Sequence, residues 1–280
     1  GACADVGWGG AEKFPASLRP KSPDCFLALQ PRKNDYGYVY RSNPSSPPAM
    51  TLSYRENMRR LRNPSFEKIT AIAHSFLPSP TDGRTAPPTD LPSPDMAADR
   101  GQMLLRALCD DGVRQKAKVD RVLGTIPRKL FQGTTFDVVD WQCGQGVNTV
   151  CFFDFIRRNG MENRVQQVFL IDTDAEAMER ALWHLEPYMG DTDRIVTIHK
   201  PINEVDRFDI ETHQPVTFHF FTDVLGHPEI DLRRLAQLIG RTIRGEHYFF
   251  CVDALKHGND RLETFYRCFN SPELFTDETY

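Results

Sequence analysis

The sequence predicts a doubly wound, mainly parallel α/β sheet of about five strands with helices on both faces, preceded by a proline-rich, largely irregular arm. Three observations carry this. Short apolar runs rich in branched and aromatic residues alternate with amphipathic stretches from about residue 101 onward. Those runs are apolar almost throughout, as strands covered on both faces must be. And 14 of the 20 prolines fall within the first hundred residues, so the two parts of the chain obey different rules.

In the first hundred residues Pro44, Pro47 and Pro48, then Pro78, Pro80, Pro87, Pro88, Pro92 and Pro94, remove amide donors and bias each preceding residue away from helix. Extended chain follows, interrupted by a helical island near 54–77. There Tyr54–Leu61 and Ser65–Leu77 have helical spacing, Pro64 suits a helix start, and Phe66, Ile69, Ile72, Ala73 and Phe76 form one stripe. Such a helix cannot bury its stripe alone, so the arm is expected to pack on the C-terminal domain or on a protein partner. Arg55, Arg59, Arg60 and Arg62 form a basic cluster. It is either a solvated face or a weak pointer to RNA phosphates.

From residue 101 the spacing predicts helices over Met103–Cys109 and Val113–Leu130. Strands follow at Phe136–Trp141, Gln167–Ile171, Ile195–His199, Val216–Thr222 and Tyr248–Val252. Helices are expected at Asn148–Arg158, Ala175–Leu185, Leu232–Arg244 and Asp260–Phe269, each with an apolar face such as Leu232, Leu235, Leu238 and Ile239.

Composition sets the bounds. The 280 residues carry 34 Lys+Arg against 38 Asp+Glu, a formal charge of −4, and 40% apolar side chains, which suits one or two globular domains. No stretch approaches the roughly 18 apolar residues of a membrane span, and Gly1–Gly10 lacks the basic-then-apolar order of a secretory signal. The seven cysteines are odd in number and include no C-x-x-C pair, so a reducing compartment, cytoplasmic or organellar, is expected. No metal site is expected either, because the histidines show no H-E-x-x-H or other paired spacing.

The most informative run is Val138-Val139-Asp140-Trp141-Gln142-Cys143-Gly144-Gln145-Gly146-Val147-Asn148, an apolar strand ending in a glycine turn that opens a helix. Gly144 and Gly146 permit positive φ and lack a Cβ, so backbone amides can approach a ligand beside the helix N-terminus. Downstream, Val168–Ile171 ends in Asp172, a carboxylate at the end of the next strand that can accept both ribose hydroxyls. Each feature alone also fits a tight strand-to-helix turn, with Asp172 capping the helix that begins near Ala175. Together, at matching strand ends, they favour a nucleoside site. No lysine follows Gly146, which disfavours a P-loop, and Thr149 stands where a dinucleotide fingerprint wants glycine or alanine.

Asp140-x-x-Cys143-Gly144-x-Gly146 resembles the first motif of class I S-adenosylmethionine-dependent methyltransferases, D-x-G-C-G-x-G. Leu170-Ile171-Asp172-Thr173-Asp174, with Ala177 and Ala181, resembles the acidic motif that follows it. The likeness covers about Lys118–Phe269. It extends to Phe220–Leu225 at the fourth strand and to Gly245–Val252, which is similar to the fifth strand of an uncharacterised bacterial methyltransferase-like group. It implies S-adenosylmethionine as cofactor, with contacts from Asp140, Gln142, Cys143, Gly144, Gly146, Asp172 and Thr173. The glycine turn would face the methionine part, Asp172 the ribose and Asp223 the substrate, which could be RNA, protein or a small molecule.

The sequence also departs from that pattern. Gln142 replaces the first glycine and brings a bulky side chain to the methionine end. Asp223 is not followed by the N-P-P-Y type motif of amino methyltransferases, and only about one helix remains after the fifth strand. The missing motif argues against an amino-group acceptor, while Gln142, the missing sheet edge and the long extended arm favour an alternative: a catalytically inactive module, a pseudoenzyme, serving as a structural or interaction subunit with the arm as its attachment.

Methyl transfer from a sulfonium is a direct displacement, so few catalytic residues are needed. Asp223 and His227, at the carboxyl end of the fourth strand, are the candidate bases. The competing assignments are a turn residue for Asp223 and an exposed loop histidine for His227. Cys143 could be a nucleophile beside a helix N-terminus, although the resemblance gives its position to a small buried residue. His219 reads as a sheet-face histidine, and Trp141 and Trp183 as packing residues.

Overall fold

In a computed structural model, the described residues are 49–78, 96–126, 133–252 and 260–270. Most of the proline-rich arm, the end of the helix expected to reach Leu130 and the last ten residues lie outside them.

Among the described residues five strands form one parallel sheet: β1 (Phe136–Trp141), β2 (Val165–Ile171), β3 (Ile195–Ile198), β4 (Val216–Thr222) and β5 (Glu246–Val252), in the order β3-β2-β1-β4-β5. Seven α-helices among the described residues surround it: α1 (Ala49–Arg59), α2 (Phe66–Ser75), α3 (Met96–Leu123), α4 (Val147–Arg158), α5 (Ala175–Met189), α6 (Leu232–Thr242) and α7 (Asp260–Asn270). Sheet order and helix placement make this a doubly wound, parallel α/β fold, as the sequence predicts.

The period-two alternation of the strands divides the core in two. Phe136, Val138, Phe218 and Phe220 face a cluster built with α1 to α5, whereas Val139, Trp141 and Phe221 face α6 and α7. Every residue of β1 is buried, which explains its unbroken apolar character apart from two aspartates. Asp137, at the amino end of the sheet, is held by the amides of Gln167 and His213 at 3.0 and 3.3 Å.

The helical island joins this core directly. Tyr54 and Met58 of α1 and Phe66, Ile69 and Ala73 of α2 belong to the same buried cluster as Phe136 and Phe152. The start of α2 is fixed from two sides. Ser65 caps it by accepting from the Lys68 amide, and the Phe66 amide donates to Asp154 Oδ2 on α4 at 2.8 Å.

The segment expected to hold two helices is one. Gly112 lies buried inside α3, where a Cβ would stand 3.3 Å from Phe66 Cζ, so this glycine permits a close helix crossing and breaks nothing. The helix ends at Leu123, and the Gly124 amide bonds to the Asp120 carbonyl. Helix α5 runs past the expected Leu185 to Met189, carrying Pro187 in its last turn. No helix among the described residues is long and apolar enough to cross a membrane.

Candidate functional site

Strands β1 and β4 are adjacent and in register, Trp141 beside Phe221, while β2 leaves β1 on the opposite side. The sheet order reverses between β1 and β4, and the crevice beyond their carboxyl ends is where open α/β sheets hold ligands. Three segments surround it: the glycine turn after β1, the acidic loop after β2 and the Asp223 loop after β4.

The turn keeps the backbone of a glycine turn although its first position is Gln142. Gln142 has φ 55°, Gly144 φ 51° and Gly146 φ 75°. Gln142 is half-buried. The Cys143 amide bonds to the Ile171 carbonyl at 2.9 Å, tying the turn to β2, and the Gly146 amide bonds back to the Cys143 carbonyl at 2.8 Å. The two glycines serve different ends. A Cβ on Gly146 would lie 2.9 Å from Ala181 Cβ, so this residue lets α4 and α5 approach. A Cβ on Gly144 would meet nothing within 4 Å: this glycine faces open space.

Asp172 and Asp174 divide two tasks that the sequence left with Asp172. Asp174 is the N-cap of α5, accepting from the Ala177 amide at 3.1 Å, and it pairs with Arg100 of α3. Asp172 joins the turns instead: Oδ2 accepts from the Gly144 amide at 2.7 Å and Oδ1 from the Asp174 amide at 2.8 Å. Only 9% of it is exposed. Burial raises its pKa, against the lowering effect of those amides. Thr173 is exposed, and its carbonyl accepts from His199 Nε2 at 2.7 Å.

Asp140 and Cys143 lie behind the turn rather than in the crevice. Asp140 is fully buried, with Oδ2 accepting from the Thr149 hydroxyl at 2.7 Å and Oδ1 from Asn148 Nδ2 at 3.2 Å. Burial raises its pKa to about 7, with the nearby Asp172 charge acting the same way. With no accessible surface it braces the turn and cannot touch a ligand. Burial likewise drives the Cys143 thiol well above its ordinary pKa, which removes the thiolate that a nucleophile would need.

Asp223 and His227 both stand exposed on the β4 side. Asp223 has φ 53°, and its amide bonds to the Val252 carbonyl at 2.7 Å. His227 places Nδ1 3.2 Å from Glu229 Oε1. No hydrogen bond joins the two candidate bases.

The residues that connect the site were not foreseen. Asn148 is the hub: its Oδ1 accepts from Gln115 of α3 at 2.8 Å and from the Thr222 hydroxyl at 3.0 Å, while its amide nitrogen donates to Asp140. Gln145, between the two glycines, sends Nε2 to the Leu104 carbonyl of α3 at 2.9 Å. The one available signal was Thr149. A hydroxyl three residues after the second glycine fits no dinucleotide fingerprint, and it is spent on Asp140. Among the described residues no cluster of three or more His, Cys, Asp or Glu side chains could hold a metal.

No family model matches the chain, and no curated protein matches it. Among solved structures it is similar to a precorrin-8w decarboxylase from Methanobacterium thermoautotrophicum (18% identity, TM-score 0.34, covering 52% of this chain and 66% of that one). It is also similar to an S-adenosylmethionine-dependent methyltransferase from Leishmania major (12% identity, TM-score 0.38, 59% and 65%). A third similar structure is DhpI in complex with SAH (12% identity, TM-score 0.33, 56% and 84%). The chain thus spans just under two thirds of the length of the first two.

Proposed function

We propose that the crevice between the β1 and β4 ends takes S-adenosylmethionine and that the chain is a methyltransferase dependent on it. The observation that carries this reading is Gly144: left-handed, open on its Cβ side, and bonded through its amide to a carboxylate at the end of the neighbouring strand. The residues fit an adenosyl group. Each oxygen of Asp172 accepts one amide in the protein, and a carboxylate oxygen has a second lone pair with which to meet a ribose hydroxyl. Thr173 lies exposed beside it, and Gln142 borders the methionine end.

The bound cofactor supplies an electrophilic methyl group on a sulfonium, and the protein's task is to hold an acceptor in line with it. In this reading Asp223 receives the acceptor's proton, which its exposure just beyond the carboxyl end of β4 supports. His227 lies further along the same loop as the second candidate.

A second reading, an inactive module that engages a protein partner through the proline-rich arm, is favoured by one feature. Each oxygen of Asp172 already accepts one amide, in a residue only 9% exposed.

Calorimetric titration with S-adenosylhomocysteine separates the two readings. Gly144→Asn is the informative variant, because asparagine tolerates a left-handed backbone and its side chain would fill the open space. The methyltransferase reading expects high-micromolar or tighter binding that Gly144→Asn abolishes without lowering the melting temperature. Absence of binding at millimolar ligand overturns it and leaves the inactive module.

A further inference from the structure

One hydrogen-bond chain links the N-terminal helices to the glycine turn, and chemistry fixes its direction. The Gln145 carbonyl can only accept, and it lies 2.9 Å from His184 Nδ1, so that nitrogen carries the ring proton. His184 is neutral, because burial lowers its pKa to about 4. Its Nε2 must then be an acceptor, and the Tyr54 hydroxyl of α1 meets it at 2.8 Å. The order is therefore Tyr54 to His184 to Gln145, through rings that are both buried.

The peptide between Gln145 and Gly146 is held at both ends. Its carbonyl is held by His184 and its amide by the Cys143 carbonyl at 2.8 Å. Since a peptide unit is planar, fixing one end orients the other. The neighbouring Gly144 is the residue that faces open space.

We propose that Tyr54 is a positioning residue for the glycine turn: through His184 it sets the orientation of the Gln145 carbonyl and so the shape of the ligand site. This rests on the reading of that turn as the adenosyl site. Without the Tyr54 hydroxyl, His184 Nε2 is a buried acceptor with no donor. Moving its proton to Nε2 would set two acceptors, Nδ1 and the Gln145 oxygen, against each other, so the ring can seek another donor only by turning, which loosens its hold on the Gln145 carbonyl. Helix α1, more than eighty residues upstream of the turn, is then part of the site's construction as well as of the core.

The test compares the full chain with Tyr54→Phe, which keeps the ring that packs on Phe76 at 5.5 Å and on His184 at 5.9 Å. A control, Phe76→Leu, disturbs the same packing and leaves the hydrogen bonds in place. Long-range nitrogen–proton correlation spectra of His184 should show the Nδ1–H tautomer in the wild type. In Tyr54→Phe the tautomer should persist, with the Nδ1 proton resonance moving upfield as its bond to the Gln145 carbonyl loosens. Amide exchange over residues 142–146 should quicken about tenfold, and S-adenosylhomocysteine affinity should fall by a similar factor, the scale expected for an unsatisfied buried acceptor.

Phe76→Leu should change neither the tautomer nor the exchange of the turn. An Nε2–H tautomer in the wild type overturns the proposal. So does unchanged exchange in Tyr54→Phe, or equal acceleration in Phe76→Leu. If the wild type binds no S-adenosylhomocysteine, the adenosyl reading fails, while tautomer and exchange still decide whether Tyr54 positions the turn.

Discussion

Gly146→Ala tests the architecture beneath the site. An added Cβ would lie 2.9 Å from Ala181 Cβ and 3.3 Å from Ala181 Cα, and the backbone at this position has φ 75°. Two penalties follow. Holding an L-residue left-handed costs about 1–2 kcal/mol. Forcing a methyl against the backbone of α5, which can yield only by moving the helix, costs about 1–3 kcal/mol more. The expected loss is therefore roughly 2–5 kcal/mol.

Gly144→Ala supplies the reference, because it too is left-handed, at φ 51°, but has nothing within 4 Å of the new methyl. It should lose only the first penalty. Urea unfolding followed by circular dichroism and by tryptophan fluorescence gives both values from the midpoints. The double variant Gly146→Ala, Ala181→Gly removes the methyl–methyl contact and should recover part of the difference. If Gly146→Ala loses no more than Gly144→Ala, helices α4 and α5 do not meet at this glycine.

Other consequences can be measured in the same way. Asp140, with its pKa raised to about 7, is more fully protonated in the folded chain than in the unfolded one between about pH 4 and 7. Its contribution is present in full below that window and is lost as pH rises through it, with a slope of up to about 1.4 kcal/mol per pH unit. The buried histidines, His184, His219 and His247, have lowered pKa values and act in the opposite sense, so the slope should be read as the difference between wild type and Asp140→Asn. Identical pH profiles for the two proteins would contradict the assignment. The Trp141 indole donates to His219 Nδ1 at 3.2 Å, so His219 must carry its proton on Nε2, facing His247 Nδ1 at 3.1 Å. Nitrogen shifts showing Nδ1–H on His219 would refute this, and Trp141→Phe should lose at least about 1–3 kcal/mol by orphaning that acceptor. A Cβ on Gly245 would collide with the Pro215 carbonyl, which also accepts the Glu246 amide at 2.8 Å. Gly245→Ala should be the most damaging of the glycine variants, and a wild-type midpoint would disprove the close approach. Asp154→Ala removes the acceptor of both the Phe66 amide and the Tyr188 hydroxyl, and should speed amide exchange at the start of α2 before it unfolds the sheet.

The strands were legible because burial on both faces favours apolar branched and aromatic side chains, which make up four of the six residues of β1 and four of the seven of β4. Where a strand begins in polar residues its start was obscured. β2 opens at Val165 rather than Gln167, because Asp137 satisfies the Gln167 amide and lets the polar pair join the ladder. β5 opens at Glu246 because His247 turns toward His219. The single helix α3 was hidden by Gly112, whose purpose depends on a phenylalanine nearly fifty residues earlier. The glycine turn and its acidic neighbour could be read from local pattern alone. Their connections could not. Asn148 draws on Gln115, Asp140 and Thr222, three partners that come together only once β4 lies beside β1.

Gln142 and Asp223, at the ends of adjoining strands, both hold a backbone conformation that glycine would adopt with less strain. Replacing either with glycine should therefore make the protein sturdier, and an effort to raise its heat tolerance by local relaxation would choose these two places first. They also flank the opening between β1 and β4, so gains in robustness there should come at the expense of whatever their side chains reach for.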